Sequence, residues 1–174
     1  MTDIPMRELC DSLAAGILKI CEANNTKIAC AESLTGGLLA DAFVRIPGAS
    51  NVLLGSAVTY DINAKASILH VDKALLDREG AVHPEVARQM AVGTARLYSQ
   101  PEYGDRIIGL STTGVAGPEP DDRGNPIGLV YLGLAWGEQC QVVPLHAGQV
   151  DRDRIRRQAA QTALDLLRRH LTGL

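Results

Sequence analysis

Three short stretches carry hydroxyls or an amine among small residues. They are Glu32-Ser33 with Thr35-Gly36-Gly37, then Tyr60 with Lys65, then Thr112-Thr113-Gly114 running on to Gly117-Pro118. A serine becomes a nucleophile only when a base takes its proton, and the usual partner is histidine. The histidines are poorly placed for this: His70 and His83 fall past a helix or at a helix start, His146 follows a β-rich run and His170 is near the C-terminus. Lys65 is the better base. A lysine desolvated among apolar neighbours, here Ala64, Ala66 and Ile68, has its pKa lowered and can accept a hydroxyl proton near neutral pH. The glycines let backbone approach a ligand, and N–H groups at a following helix start favour an anion or a developing oxyanion. Both phosphate and acyl chemistry fit this pattern.

Each residue also has a structural reading. Ser33 or Thr35 can cap the helix that follows, Tyr60 can be a packing residue with a wet hydroxyl, and Lys65 a solvated helix charge. Glu32 can orient Lys65 or cap a backbone group. Asp121-Asp122, in a loop rich in glycine and proline, reads as a solvated turn. Arg152 and Arg156 stand one helical turn apart and can grip a phosphate bidentately, or pair within the helix with Asp151 and Asp153. The chain contains neither G-x-G-x-x-G, G-x-x-x-x-G-K-[ST] nor G-x-S-x-G.

The elements that must position these groups follow from hydrophobic periodicity. Leu9, Leu13, Ile17 and Ile20 predict an amphipathic helix ending at Asn24-Asn25, followed by a strand over 27–31. Leu38, Leu39, Ala42, Phe43 and Ile46 mark a second helix, stopped by Pro47-Gly48. The run 52–60 reads as a buried strand, and Asp61 as the N-cap of a helix carrying Lys65. Pro84 opens a further helix, and 106–112 is a third buried strand. Two β-rich runs around Gly137-Glu138 predict a hairpin, before a final helix from about Asp151 to His170 with Ile155, Ala159, Leu164 and Leu167 inward. This alternation predicts an α/β fold over 1–174 as one domain. It is a three-layer α/β/α sandwich with a mixed, largely parallel sheet and an antiparallel hairpin near the C-terminus. In such sheets ligands bind at the carboxyl ends of the strands, where all three stretches fall.

Composition narrows the function classes. The 174 residues are 46% hydrophobic and 21% charged, ordinary for a folded globular chain. No apolar run approaches the roughly 20 residues of a membrane span, and the N-terminus is acidic and polar, so a cytoplasmic protein is expected. Cys10, Cys21, Cys30 and Cys140 form no C-x-x-C pair and read as buried thiols, without a metal site. A net charge of −3 with one Trp and one Phe argues against nucleic acid as partner.

Taken as a set, AES-L-TGG (31–37), TY-x4-K (59–65), GAV-HP-EVA (80–87), TTG-V-AGP (112–118), NP-I-G (125–128) and DRDRIRRQA (151–159) closely resemble the CinA C-terminal domain family, the stand-alone nicotinamide-nucleotide amidohydrolases. The resemblance covers almost the whole chain. It implies hydrolysis of the carboxamide of nicotinamide mononucleotide to nicotinate mononucleotide and ammonia, in pyridine-nucleotide salvage, without metal or organic cofactor. It implies Ser33 as nucleophile, Lys65 as its base, Tyr60 in the proton path, and Thr113 with nearby backbone amides at the oxyanion. Glu32, Thr35, Gly36, Gly37, Thr112, Gly114, Gly117, Arg152 and Arg156 would contact the nucleotide. The phosphate would meet either the Thr35-Gly36-Gly37 helix start or the arginine pair. A homo-oligomer built on dimers is also implied. Leu34, His83, Thr112 and Asn125 depart from the family's common residues, and none of them removes a proposed catalytic group. The alternative is a catalytically silent protein of the same fold that binds a pyridine nucleotide or a partner.

Overall fold

Twice near the start of the chain a short strand leads through a tight turn into a helix, and both units run parallel in one sheet. The computed structural model describes residues 4–173, which leaves the first three residues of the polar N-terminal stretch outside the described ones. Helix α1 (Ile4–Ala23) leads into β1 (Lys27–Glu32) and α2 (Leu38–Val44). A 3-10 turn over Ala49–Asn51 precedes β2 (Leu53–Val58), α3 (Ile62–Leu69), α4 (Lys73–Glu79) and α5 (Pro84–Leu97). The remaining elements are β3 (Ile107–Gly114), β4 (Leu129–Trp136), β5 (Gln139–His146) and α6 (Arg152–Thr172).

The sheet order is β2-β1-β3-β4-β5, with β1 parallel to both neighbours and β4 and β5 antiparallel. Helices α1, α2 and α6 cover one face, and the larger core cluster lies there, including Ile17, Phe43, Leu110, Leu132, Ile155 and Leu164. Helices α3, α4 and α5 cover the other face, where Leu69, Leu75, Leu76, Val86 and Met90 pack on Ala31. Helix α5 lies directly on backbone: a Cβ at Gly109 would stand 2.0 Å from the Ala91 carbonyl oxygen. No helix among the described residues is long and apolar enough to cross a membrane.

Several expectations are corrected. The buried face of α1 is Cys10, Ala14, Ile17, Leu18 and Cys21, while Leu9 is exposed. Ile17 of the expected stripe is buried there, and Leu13 packs against the same core while partly buried. Strand β2 is the edge of the sheet and half-buried along its length. Its apolar residues suggest burial on both faces, yet hydropathy carries no signal of edge position. Helix α4 was not foreseen: Asp72 caps it, accepting from the Ala74 amide, after a break of only a few residues behind α3. Strand β3 runs on through Thr113 and Gly114, because β4 pairs with both.

Candidate active site

Parallel register sets the site. Glu32 of β1 stands opposite Val58 of β2 and Thr112 of β3, so the next residues, Ser33, Thr59 and Thr113, continue as neighbours across three strand ends. Two backbone bonds tie the row together, Ser33 N–H to the Thr112 carbonyl and Thr59 N–H to the Glu32 carbonyl, each 3.0 Å. Side chains alternate faces along a strand. Glu32 and Thr112 therefore turn toward α2, and Ser33, Thr59 and Thr113 toward α3 and α5.

On the α2 face, the Glu32 side chain is completely buried. One carboxylate oxygen accepts from the Gly37 and Leu39 amides at 2.9 and 3.1 Å. The other accepts from the Ala40 amide at 3.0 Å and the Ser56 hydroxyl at 2.8 Å. The orphan amides that open a helix are thus met by a carboxylate from the preceding strand. Gly37 is the N-cap residue, with φ +101° and no side-chain cap, so neither Ser33 nor Thr35 caps α2. Thr35 instead shares a 2.8 Å hydrogen bond with the Thr112 hydroxyl. Of the two roles open to it, orienting Lys65 or capping backbone, Glu32 takes the second. The helix start, one of the two places expected for a phosphate, has these amides taken by an internal carboxylate.

On the other face, Lys65 is wholly buried in α3, and its Nζ lies 3.0 Å from Ser33 Oγ and 2.5 Å from the Thr59 carbonyl oxygen. Burial pulls the ammonium pKa down from 10.5 to about 8, against a smaller opposing pull from Asp61. Asp61 caps α3 by accepting from the Asn63 and Ala64 amides. The far end of α3 is seated by Gly93, where a Cβ would stand 2.1 Å from the Leu69 carbonyl oxygen. Only glycine permits that approach, and it brings α3, and with it Lys65, onto the strand ends. Burial raises the Cys30 thiol well above its usual range and Cys21 to about 11, so neither is held as a thiolate.

The other expected residues are distributed around this centre. The Thr113 hydroxyl donates to the Ala81 carbonyl at 2.7 Å and so serves the turn before α5. Leu34 and Thr35 N–H groups, next to Ser33, donate to no acceptor among the described residues. Arg156 reaches from α6 to the Leu34 and Thr35 carbonyls at 2.8 and 3.0 Å, with a longer contact to Asp153. Arg152 donates to the Gly117 carbonyl and, at 3.0 Å, to the Tyr60 hydroxyl. Tyr60 is 63% exposed, at the rim. A cleft of about 270 Å³ lies beside that bridge, lined by Ala116, Gly117, Pro118, Ile127, Val150, Asp151 and Arg152. Gly114 packs against the Leu129 carbonyl, and Gly36 against the Arg156 guanidinium. Asp121 closes a turn by accepting from Arg123 and Asn125. Spacing alone assigns no role to Ser56, nor to Thr59 although the TY-x4-K motif contains it; the strand register brings both to the site.

The comparisons agree with this architecture. The model of the CinA C-terminal domain matches residues 10–171. A CinA-like protein of Syntrophomonas wolfei is 46% identical over 156 residues, 89% of this chain and 36% of its own length. A CinA-like protein of Frankia casuarinae is 43% identical over 165 residues, 94% of this chain and 36% of its own. The chain thus spans about a third of the length of the curated relatives it matches. Among solved structures, the competence/damage inducible protein CihA from Agrobacterium tumefaciens superposes with a TM-score of 0.84 at 32% identity, covering 94% of this chain and 96% of that one. A CinA superfamily protein from Klebsiella pneumoniae gives 0.86 at 25% identity, over 95% and 99%. With nearly its whole length matched in sequence and in fold, this chain belongs to the CinA C-terminal domain family.

Proposed function

We propose that this chain hydrolyses the carboxamide of nicotinamide mononucleotide, giving nicotinate mononucleotide and ammonia, by a Ser33/Lys65 acyl-transfer mechanism. The observation that carries the reading is the buried Lys65 amine 3.0 Å from the Ser33 hydroxyl, with its pKa drawn down to about 8. A base tuned this close to working pH is what general-base catalysis requires. Neutral Lys65 accepts the Ser33 proton as Oγ attacks the amide carbon. The C–N bond then breaks, and the nitrogen leaves as ammonia with the proton that Lys65 returns. Water, deprotonated in the same way, attacks the acyl-serine, and the carboxylate and free Ser33 result. The Leu34 and Thr35 amides are the donors nearest the nucleophile for the oxyanion.

With the α2 start occupied by Glu32, the arginine side of the site is the one left for the nucleotide. Arg152, partly exposed beside the cleft and bonded to Tyr60, is the group this reading assigns to the phosphate. The same reading takes the chain to act in the cytoplasm as a homo-oligomer built on dimers, which sedimentation of the purified protein tests.

The deciding experiment is ammonia release from nicotinamide mononucleotide by wild type and Ser33→Ala. The expected result is turnover in the first and, with unchanged circular dichroism, none in the second. Binding without product by the wild type would make this a catalytically silent member. Near wild-type turnover by the mutant would remove Ser33 as nucleophile.

A further inference from the structure

Thr59 presents an unusual combination. Its backbone is fully engaged, N–H to Glu32 and carbonyl to Lys65, while its hydroxyl oxygen is completely buried and has no hydrogen-bond partner among the described residues. A buried hydroxyl left unpaired carries a desolvation cost that folds normally avoid. Valine would fill the same space without it. The neighbour lacking a bond is Lys65: an ammonium has three N–H groups, and Nζ has acceptors for two, Ser33 Oγ and the Thr59 carbonyl. A donor short of an acceptor is thus held by the backbone carbonyl of the very residue whose buried hydroxyl is short of a partner.

We propose that the Thr59 hydroxyl is the third acceptor of Lys65, used when Lys65 carries the proton taken from Ser33. This rests on the reading of Ser33 and Lys65 as nucleophile and base and adds a positioning residue to that pair. Neutral Lys65 has two N–H groups and a lone pair directed at the Ser33 proton. After transfer it has three N–H groups, and rotation about the Thr59 Cα–Cβ bond offers the hydroxyl oxygen to the third. The charged groups around this corner are otherwise placed. Asp61 of α3 caps its own helix, Glu32 of β1 is turned to α2, His83 of α5 caps that helix, and Arg152 and Arg156 of α6 hold the Gly117, Leu34 and Thr35 carbonyls.

The test compares Thr59→Val with Thr59→Ser. Valine should leave the melting temperature equal or higher, because it removes the unpaired hydroxyl. It should lower kcat about three- to tenfold and move the rising limb of the pH–rate profile down by ~0.5–1 pH unit, since the charged amine loses an acceptor. Serine, which keeps the hydroxyl, should restore the wild-type limb. A titration of the Lys65 Nζ by nitrogen-15 NMR reads the same displacement without turnover. If Lys65 titrates identically in wild type and Thr59→Val, the assignment is overturned, whatever the activity. If the titration moves but the wild type releases no ammonia, the Thr59 assignment stands and the proposed substrate falls.

Discussion

Two buried polar clusters lie back to back at the end of β1. On the α2 side, the Glu32 carboxylate receives four hydrogen bonds, three from helix amides and one from Ser56. On the α3 side, the Lys65 amine has two acceptors and the hydroxyl beside it has none. Both groups are wholly hidden from solvent, and they belong to the same row of strand ends. The first cluster meets the bonding requirements of its charge, so the carboxylate strengthens the fold. The second leaves requirements open, which weakens the fold and, on the proposed function, keeps a base and a nucleophile reactive. Satisfaction, more than burial or charge, is what separates the two clusters.

The largest test of that contrast is Lys65→Met. Loss of the base should reduce kcat on the order of 10²–10⁴-fold, while stability at neutral pH should rise. The sign follows from the two pKa values. Lys65 ionises at about 8 in the fold and at 10.5 in the unfolded chain, so below pH 8 the fold bears the full cost of a buried charge. That cost fades as pH rises from 8 to 10.5 and is absent above. Converted at 1.36 kcal/mol per pH unit, it is on the order of 3 kcal/mol at neutral pH. Denaturant unfolding of wild type and Lys65→Met at pH 7 and pH 10 should show the mutant's advantage shrinking with pH, while wild-type kcat/KM climbs through about pH 8. A mutant that is destabilised at pH 7 would place Lys65 among the structural charges.

The opposite result is expected across β1. Glu32→Gln keeps the shape of the side chain but sets an amide NH2 against donors and removes the charge that the α2 amides share. Breaking a satisfied buried charge in this way costs about 2–4 kcal/mol. Urea unfolding at pH 7 should show the loss directly. Turnover should fall less than in Lys65→Met and in step with displacement of the Ser33 turn, and an unchanged stability would break the comparison outright.

How much of this was legible in the sequence depended on the range of the interaction. The βα units, the Asp61 cap, Pro84 at a helix start and the hairpin around Gly137-Glu138 rest on local spacing and turn chemistry, and the fold bears them out. Ser33 and Lys65 are legible as a pair because the histidines are poorly placed and Lys65 sits among apolar neighbours on the helix that follows a strand end. Glu32 stood open between two roles, since its partners Leu39, Ala40 and Ser56 are fixed by how α2 and β2 fold back on β1. Thr59 falls in the TY-x4-K motif but gets no role from it, because its position beside Ser33 exists only in the parallel register. On α1 hydropathy favours Leu9, which is exposed, over Cys10 and Ala14, which are buried, while Leu13 and Ile17 meet the core as expected.

Tyr60 marks the outer limit of the reactive side. The resemblance assigns it to the proton path, yet its hydroxyl lies at the exposed rim and bonds Arg152, which also holds Gly117. An exposed hydroxyl bonded to a guanidinium can be replaced by water at little cost to the fold. Tyr60→Phe should therefore leave stability within about 0.5 kcal/mol of wild type. If the hydroxyl only holds Arg152 toward the nucleotide, the change should appear in KM, about two- to fivefold, with kcat nearly intact, as expected for a lost interaction made equally in ground and transition states. If bound nucleotide draws Tyr60 inward to relay the proton, kcat should fall instead and KM should hold. Steady-state kinetics of this one variant thus decides whether the unsatisfied cluster ends at Lys65 and Thr59 or extends to the rim.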